Sequence, residues 1–246
     1  SVGTSSMNVN FGQLNNKGLD LSLSAQIIRN KDWFWSVTLT GGHVMDQIRK
    51  ISEGLKNDID NPYDSSKPKI LFVEGGSQYD IYAMRSAGID PATGKEIFIK
   101  KNGEYTFKYD ENERVAVGNT NPILQGSLMN TLRYKGFSIS VATSYTFGSD
   151  YYNSTLKNKV ENIDLNYNVD RRVFTDRWKQ PGDHTRFLGI GTSSSSNQYS
   201  ERFVEKRNEL YISSIQVMYD FAPKAITRLG LRKLAIGFGL SDIAHI

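Results

Sequence analysis

The sequence contains no cysteine among its 246 residues, which excludes a disulfide framework but fits bacterial envelope and cytosolic proteins alike. It also lacks any run of 18 apolar residues, so no transmembrane helix is predicted. No leader segment, with a charged region before an apolar one, follows Ser1. We therefore expect the chain to be part of a longer protein.

Charge of one sign is not concentrated anywhere in the chain. The 30 basic and 26 acidic residues give a net charge of +4 that is spread along the sequence, whereas a nucleic-acid surface needs a basic stripe. We therefore predict no nucleic-acid partner. The 11% aromatic content, with 13 Tyr and 12 Phe, indicates strands and interfaces instead.

Two adjacent segments alternate with a strict period of two. From Phe137 to Gly148 every odd position except Thr143 is apolar or aromatic, while the even positions are Ser, Ala, Thr or Gly. In the preceding run one face holds Leu124, Gly126, Leu128, Leu132 and Tyr134 and the other holds Gln125, Ser127, Thr131 and Arg133, and only Lys135 and Gly136 separate the two runs. The pattern predicts a β-hairpin with a tight turn.

The strands of this hairpin are longer than those of most soluble proteins. Each has roughly 10 to 12 residues, and about 9 to 11 tilted residues cross a bilayer, so we predict a transmembrane hairpin. One half of a soluble sandwich is the alternative, but its solvent face would carry Lys, Glu and Arg. The small uncharged face favours the crowded, hydrated interior of a wide barrel.

About seven strands are predicted in all. The others are 8–14, 19–27, 33–40, 211–221 and 231–241, with turns at 15–18 and 29–32. Trp33 and Trp35 start a strand beside a charged turn, which is typical of an interfacial aromatic girdle. The alternative is that they are ordinary core residues near a turn. The residues predicted to face lipid are Leu19, Leu21, Leu23, Ile27, Trp33, Trp35, Val37, Leu39, Phe137, Ile139, Val141, Tyr145 and Phe147.

Short and long connections alternate strictly between these strands. We call 41–121 the first excursion and 149–208 the second excursion; the first is predicted to hold small strands at 77–87 and 96–109, around a turn at 88–94. The run 45–58 fits a helix or a continuing strand. Outer-membrane barrels have short periplasmic turns and long extracellular loops. Seven strands cannot close such a barrel, so further strands are expected outside this chain.

Several motifs resemble the C-terminal part of SusC/RagA-type TonB-dependent transporters of Bacteroidetes. They are NVNFGQLNNKGLDLSL, AGIDPATGKEIF with KNGEY, VGNTNPILQGSLMNTLRYKGFSIS, DRWKQPGDHTRF and ERFVEKRNELYISSIQVMYDF, in that order over nearly the whole chain. The resemblance implies an all-β, antiparallel transmembrane β-barrel of 22 strands, of which residues 1–246 form a C-terminal part. The plug domain and the last strand are expected to lie outside this chain.

The resemblance also implies a function. Such a protein is an outer-membrane importer that moves oligosaccharides or peptides with energy delivered by TonB, which contacts the plug region. Its partners would be a SusD-like surface lipoprotein and outer-membrane lipid, and a dimer of SusC–SusD pairs is consistent with it. The alternative function is a soluble all-β carbohydrate-binding module or carbohydrate-active enzyme.

No catalytic centre, cofactor or metal site is predicted. Residues 57–64 loosely resemble a calcium loop but lack its Gly and terminal Glu. His43, His184 and His245 lack partners at ligand spacing. The remaining candidates for contact with substrate or partner lie in the second excursion: Tyr151, Tyr152, Asn153, Arg177, Trp178 and Asp183. Trp178 and the PGD turn could equally hold the loop together.

Overall fold

The computed structural model describes residues 12–52, 72–163, 166, 168–190, 198–227 and 230–246. The chain is mostly β-structure, as predicted, with eleven strands, three short α-helices and two 3-10 turns (Glu111–Glu113 and Glu201–Phe203) in the described residues. Within that part of the chain, no helix combines the length and the apolar character needed to span a membrane. The helices are α1 (Ser154–Val160), α2 (Arg172–Thr175) and α3 (Pro223–Ile226).

Six long strands form one sheet. They are β1 (Gly12–Arg29), β2 (Trp33–Ile51), β8 (Leu124–Tyr134), β9 (Phe137–Tyr152), β10 (Val204–Asp220) and β11 (Ala235–His245). Their order in the sheet is β1-β2-β8-β9-β10-β11, so each pairs with the next of these strands in sequence, and β2 pairs with β8 across the first excursion. The hairpin around Lys135 and Gly136 is confirmed.

The remaining strands are short and lie in the first excursion. They are β3 (Asp80–Ala83), β4 (Arg85–Ile89), β5 (Glu96–Ile99), β6 (Tyr105–Thr106) and β7 (Val115–Asn119). They form a β3-β7 pair and a β4-β5-β6 sheet, so the predicted small strands around the turn at 88–94 are confirmed.

The chain divides into two compact units. The sheet unit comprises 17–45, 122–149 and 207–246, and the loop unit comprises 1–16, 46–121 and 150–206. Strands β1, β2, β9 and β10 each have residues in both units.

The register of the sheet puts the apolar positions of neighbouring strands opposite one another. Trp33 pairs with Tyr134, which pairs with Phe137, and one step further Leu132 lies between Trp35 and Ile139. Asn130 interrupts this apolar face, and its Oδ1 accepts a hydrogen bond from the Trp35 indole at 2.9 Å. The alternation in the sequence thus becomes a largely apolar face that extends over neighbouring strands.

The opposite face carries a ladder of hydroxyl groups. Thr40 and Ser127 are 2.8 Å apart, and Thr131 and Ser140 are 3.3 Å apart, each pair between neighbouring strands. Ser24 and Thr38 make a similar contact at 3.0 Å. Such pairs satisfy small polar side chains within the sheet itself.

The apolar face is not covered by a second layer in the sheet unit. Among its described residues Ile226 is the buried hydrophobic one, whereas Leu19, Leu21 and Phe137 are exposed. A soluble sandwich buries one face of each sheet. The arrangement therefore does not support the soluble alternative.

The turn predicted between the first two strands is wrong, and the predicted count of about seven strands is not confirmed. The turn at 15–18 does not exist, because β1 runs unbroken from Gly12 to Arg29. The reason is its partner strand: β2 continues to Ile51, so residues 45–51 of the undecided run are strand, and β2 supplies neighbours as far as Lys50, beside Gly12. The large sheet therefore has six strands in the described residues rather than seven, and 8–11 lie outside them.

Gly126 lies where three strands approach one another. The Tyr145 side chain from β9 crosses over it, and its hydroxyl donates to the Thr40 carbonyl of β2 at 2.7 Å. A Cβ atom at position 126 would overlap that carbonyl oxygen and lie 2.6 Å from the Tyr145 hydroxyl. Glycine is therefore required by the backbone of β2 and the ring of Tyr145 together.

We expect Gly126→Ala to lower the free energy of unfolding by about 1–3 kcal/mol, because the sheet must shift to accommodate the methyl group. The measurement is urea unfolding of the full-length protein in detergent micelles. Gly239→Ala in β11 is the matched control, since the nearest atom to its added Cβ is Gln216 Cγ at 3.9 Å. Equal effects of the two substitutions would contradict the packing described here.

Candidate functional site

The two excursions fold together in the loop unit. The Met84 amide donates to the Tyr199 carbonyl at 2.9 Å, and the Glu201 amide donates to the Met84 carbonyl at 3.1 Å. These bonds form an isolated parallel bridge between segments more than a hundred residues apart in sequence. The sequence predicted each excursion separately and gave no sign that they pair.

Trp178 joins the second excursion to the GIDPATG turn of the first. Its indole nitrogen donates to the Pro91 carbonyl at 2.9 Å, and the Gly182 amide donates to the same oxygen at 2.9 Å. Gly94 has φ +69°, and a Cβ there would lie 2.5 Å from the Trp178 ring. The motifs AGIDPATGKEIF and DRWKQPGDHTRF, which the sequence analysis identified separately, are therefore in contact with each other.

The side chains of Arg177 and Asp183 form hydrogen bonds with backbone groups of the second excursion. Arg177 is 3% exposed and donates to the carbonyls of Val160 at 3.2 Å, Leu188 at 2.8 Å and Gly189 at 2.8 Å. Asp183 Oδ2 accepts from the amides of Lys179 and Gln180, each at 3.0 Å, and so closes the PGD turn. This geometry fits the structural alternative left open for the motif.

Tyr152 packs inward as well. Its ring lies against a buried hydrophobic cluster made of Leu156, Val160, Phe187 and Phe203. Burial raises the pKa of the Tyr152 hydroxyl above its ordinary value. Tyr152 is therefore part of the packing beneath the surface.

Tyr151 and Asn153 contribute to a partly exposed group that we call the surface cluster: Tyr151, Asn153, Arg186 and Glu205. The Tyr151 hydroxyl donates to Glu205 Oε2 at 2.7 Å, and Asn153 Nδ2 donates to the same oxygen at 2.8 Å. Arg186 Nη2 donates to Glu205 Oε1 at 2.6 Å. Asn153 also caps α1 by accepting from the Leu156 amide at 2.9 Å.

The sequence missed Arg186 and Glu205. Glu205 comes directly after the first residue of β10, and Arg186 lies in an irregular segment. Both lie within motifs of the resemblance, but neither belongs to an alternating pattern that would single it out. Residues 57–64, the loose calcium-like run, lie outside the described residues. In the described residues no three His, Cys, Asp or Glu side chains are grouped to hold a metal ion.

Hydrogen bonds dominate the electrostatics of the surface cluster. Partial burial on its own raises the pKa of Glu205, but the hydrogen bonds from Asn153, Tyr151 and Arg186 outweigh it and lower that pKa to about 2. The carboxylate is therefore ionised at any physiological pH. A phenol, an amide, a carboxylate and a guanidinium side by side can bind polar groups such as hydroxyls and amides.

The contribution of Glu205 to stability should depend on pH. Because the pKa is lowered in the folded state, the contribution is present above the ordinary value near 4.5 and is lost as the pH falls toward 2. We expect wild type to exceed Glu205→Gln in unfolding temperature at pH 6, and the difference to vanish near pH 2. A difference that stays constant over this range would contradict the assignment.

Curated relatives of the chain are TonB-dependent receptors. It is 23% identical to TonB-dependent receptor P39 of Formosa agariphila over 98% of its own length, and 25% identical to TonB-dependent receptor P3 of the same organism over 63%. It covers 27% and 17% of those two proteins, and so spans about a quarter or less of their length. No protein-family model matches the chain.

Solved structures give the same fold. The chain resembles the RagAB peptide transporter with a TM-score of 0.77 and 19% identity, over 96% of this chain and 26% of that one. It resembles the RagAB peptide importer in the open-open state with a TM-score of 0.78 and 20% identity, over 96% and 25%. The resemblance to SusC/RagA-type TonB-dependent receptors is thereby confirmed, and these relatives are receptors and transporters rather than enzymes.

Proposed function

We propose that the chain is the C-terminal barrel part of an outer-membrane importer that works with a SusD-like surface lipoprotein and takes its energy from TonB. Residues 1–246 would form one part of a closed antiparallel barrel, and the plug that contacts TonB would lie elsewhere in the protein. The observation that carries this proposal is the uncovered apolar face of the six-stranded sheet.

The aromatic residues of the sheet unit support a membrane-crossing role. Trp33 and Tyr134 have ring centroids 4.3 Å apart at the end of the sheet that holds the short turns, with Phe137 next in register. Phe147 lies ten residues further along β9 than Phe137, and its ring stacks on that of Tyr145 with the centroids 5.6 Å apart. Ten residues span about 33 Å, or roughly 25 Å of height at a tilt near 40°, which is the height of the lipid-facing band in such barrels.

The edges of the sheet support continuation into a barrel. Strands β1 and β11 lie at the two edges, and each is long and carries exposed apolar side chains such as Leu19 and Phe238. Soluble proteins protect such edges, because unpaired backbone groups invite aggregation, and in lipid every backbone group must be paired. We propose that further strands pair with both edges, in a barrel that reaches 22 strands.

The transported substrate and the SusD-like lipoprotein would bind to the loop unit. The short connections after β1, β8 and β10 alternate with two long excursions, so we place the excursions at the cell surface. There the surface cluster offers polar groups to a peptide, an oligosaccharide or the lipoprotein. Relatives named as peptide transporters favour a peptide.

Labelling on intact cells tests this topology. In a full-length protein without other cysteines, we expect Asn102→Cys, in the loop unit, to react with a membrane-impermeant maleimide, and Lys135→Cys, in the short turn, to react only after lysis. Fractionation should place the protein in the outer membrane, from which only detergent releases it. A monodisperse preparation from buffer alone, or reversed labelling, would reject the proposal.

A further inference from the structure

A buried ion-pair network lies beneath the surface cluster. Arg202 Nη2 is 2.7 Å from Glu96 Oε2, and Arg202 Nη1 is 2.9 Å from Glu161 Oε1. All three side chains are at most 7% exposed. Glu96 begins β5 of the first excursion, whereas Glu161 and Arg202 belong to the second, so one guanidinium joins the two excursions.

Other polar groups complete this network. The Ser200 hydroxyl donates to Glu96 Oε1, and the Leu188 amide donates to Glu161 Oε1 at 2.9 Å. The nearby Lys157 amine is also buried, and burial lowers its pKa to about 8. Charges so far from water are held by their partners, and removal of one partner leaves the other uncompensated.

The network is linked to the surface cluster through Arg186. Arg202 Nη1 donates to the Arg186 carbonyl at 2.6 Å, and Arg186 Nη2 donates to the Arg202 carbonyl at 3.0 Å. The same Nη2 atom of Arg186 donates to Glu205 at 2.6 Å. A continuous path of hydrogen bonds thus runs from Glu96 in the first excursion to Glu205.

We propose that Arg202 is a positioning residue that couples the surface cluster to the first excursion. Glu96 holds the Arg202 guanidinium, and Arg202 in turn binds the Arg186 carbonyl and fixes where Arg186 lies. Arg186 holds the Glu205 carboxylate, which binds Tyr151 and Asn153. A ligand bound at either place would then alter the order of the other. The coupling does not depend on what the surface cluster binds or on whether the protein imports anything.

Two isosteric substitutions test the coupling, because each removes one carboxylate from the same guanidinium. Glu96→Gln breaks the pair between excursions, and Glu161→Gln, the matched control, breaks the pair within the second excursion. The readout is amide hydrogen exchange in the full-length protein in micelles, followed by mass spectrometry of peptides covering 80–99, 150–156 and 186–190.

With Glu96→Gln we expect exchange to become about tenfold faster in all three peptides, as for coupled neighbours in one network. With Glu161→Gln the peptide 80–99 should exchange at the wild-type rate, while 186–190 exchanges faster. Faster exchange confined to 80–99 in Glu96→Gln would show a local role and overturn the proposal.

A second variant covers the case in which Glu96→Gln does not fold. Glu96→Asp keeps the charge and shortens the side chain by one methylene, so it should weaken the same contact and give the same pattern with a smaller increase. Wild-type exchange at 150–156 in Glu96→Asp, beside faster exchange at 80–99, would also overturn the coupling. Neither readout requires transport, so failure here is distinct from failure of the proposed function.

Discussion

Replacing Arg177 by Met is expected to destabilise the loop unit by about 3–5 kcal/mol, one of the two largest effects predicted for this chain. The guanidinium donates to the carbonyls of Val160, Leu188 and Gly189 and is almost completely buried. Met fills much of the same volume but donates no hydrogen bond. Three carbonyl oxygens would lose their donor in a region that water does not reach.

The measurement is limited proteolysis of the full-length protein in micelles, with cleavage followed between residues 154 and 190. Arg172→Met is the matched control, because Arg172 lies in the same excursion but its side chain is 48% exposed and pairs with Asp170 at the surface. An exposed pair of this kind contributes little to stability, so we expect Arg172→Met to be cleaved at close to the wild-type rate. If both variants resisted protease equally, Arg177 would not have the role assigned to it.

Much of the sheet could be predicted from the sequence, because its strands are long and strictly periodic. Over Phe137 to Gly148 each side chain is assigned to a face by its position alone, and the register with β8 follows from the two-residue turn. The turn predicted at 15–18 shows the limit of local signals. Asn15 and Asn16 favour a turn, but pairing with the extended β2 outweighs that preference.

The loop unit could be predicted only in part, because its contacts join distant segments. The turn around Gly94 was visible locally, but its contact with Trp178 and the Met84 bridge to Tyr199 depend on the whole fold. Of the six residues proposed from sequence for contact, Tyr151 and Asn153 lie in the surface cluster. Their partner Glu205 lies in the charged run 205–209, and charged residues are mostly exposed to solvent, so the sequence alone does not single it out.

Ile139→Arg is expected to make folding into the membrane less favourable by about 2–4 kcal/mol if the apolar face meets lipid near the bilayer midplane. Ile139 lies in β9 beside Leu132, which pairs in turn with Trp35, so its surroundings are apolar across three strands. A guanidinium there would have to be dehydrated or drawn away toward the interface. The measurement is urea-dependent folding of the full-length barrel into lipid vesicles.

Ser140→Arg is the matched control for this prediction, since it introduces the same side chain one position along the same strand. Ser140 lies on the hydroxyl-bearing face, next to Thr131. In the proposed barrel this face lines the interior, where the long side chain would reach water. We expect a cost well below that of Ile139→Arg. Because the two positions are adjacent in one strand and lie at nearly the same depth, the difference between them reports on the face that each occupies. Equal costs would mean that neither face meets lipid, and the membrane-crossing barrel would have to be abandoned.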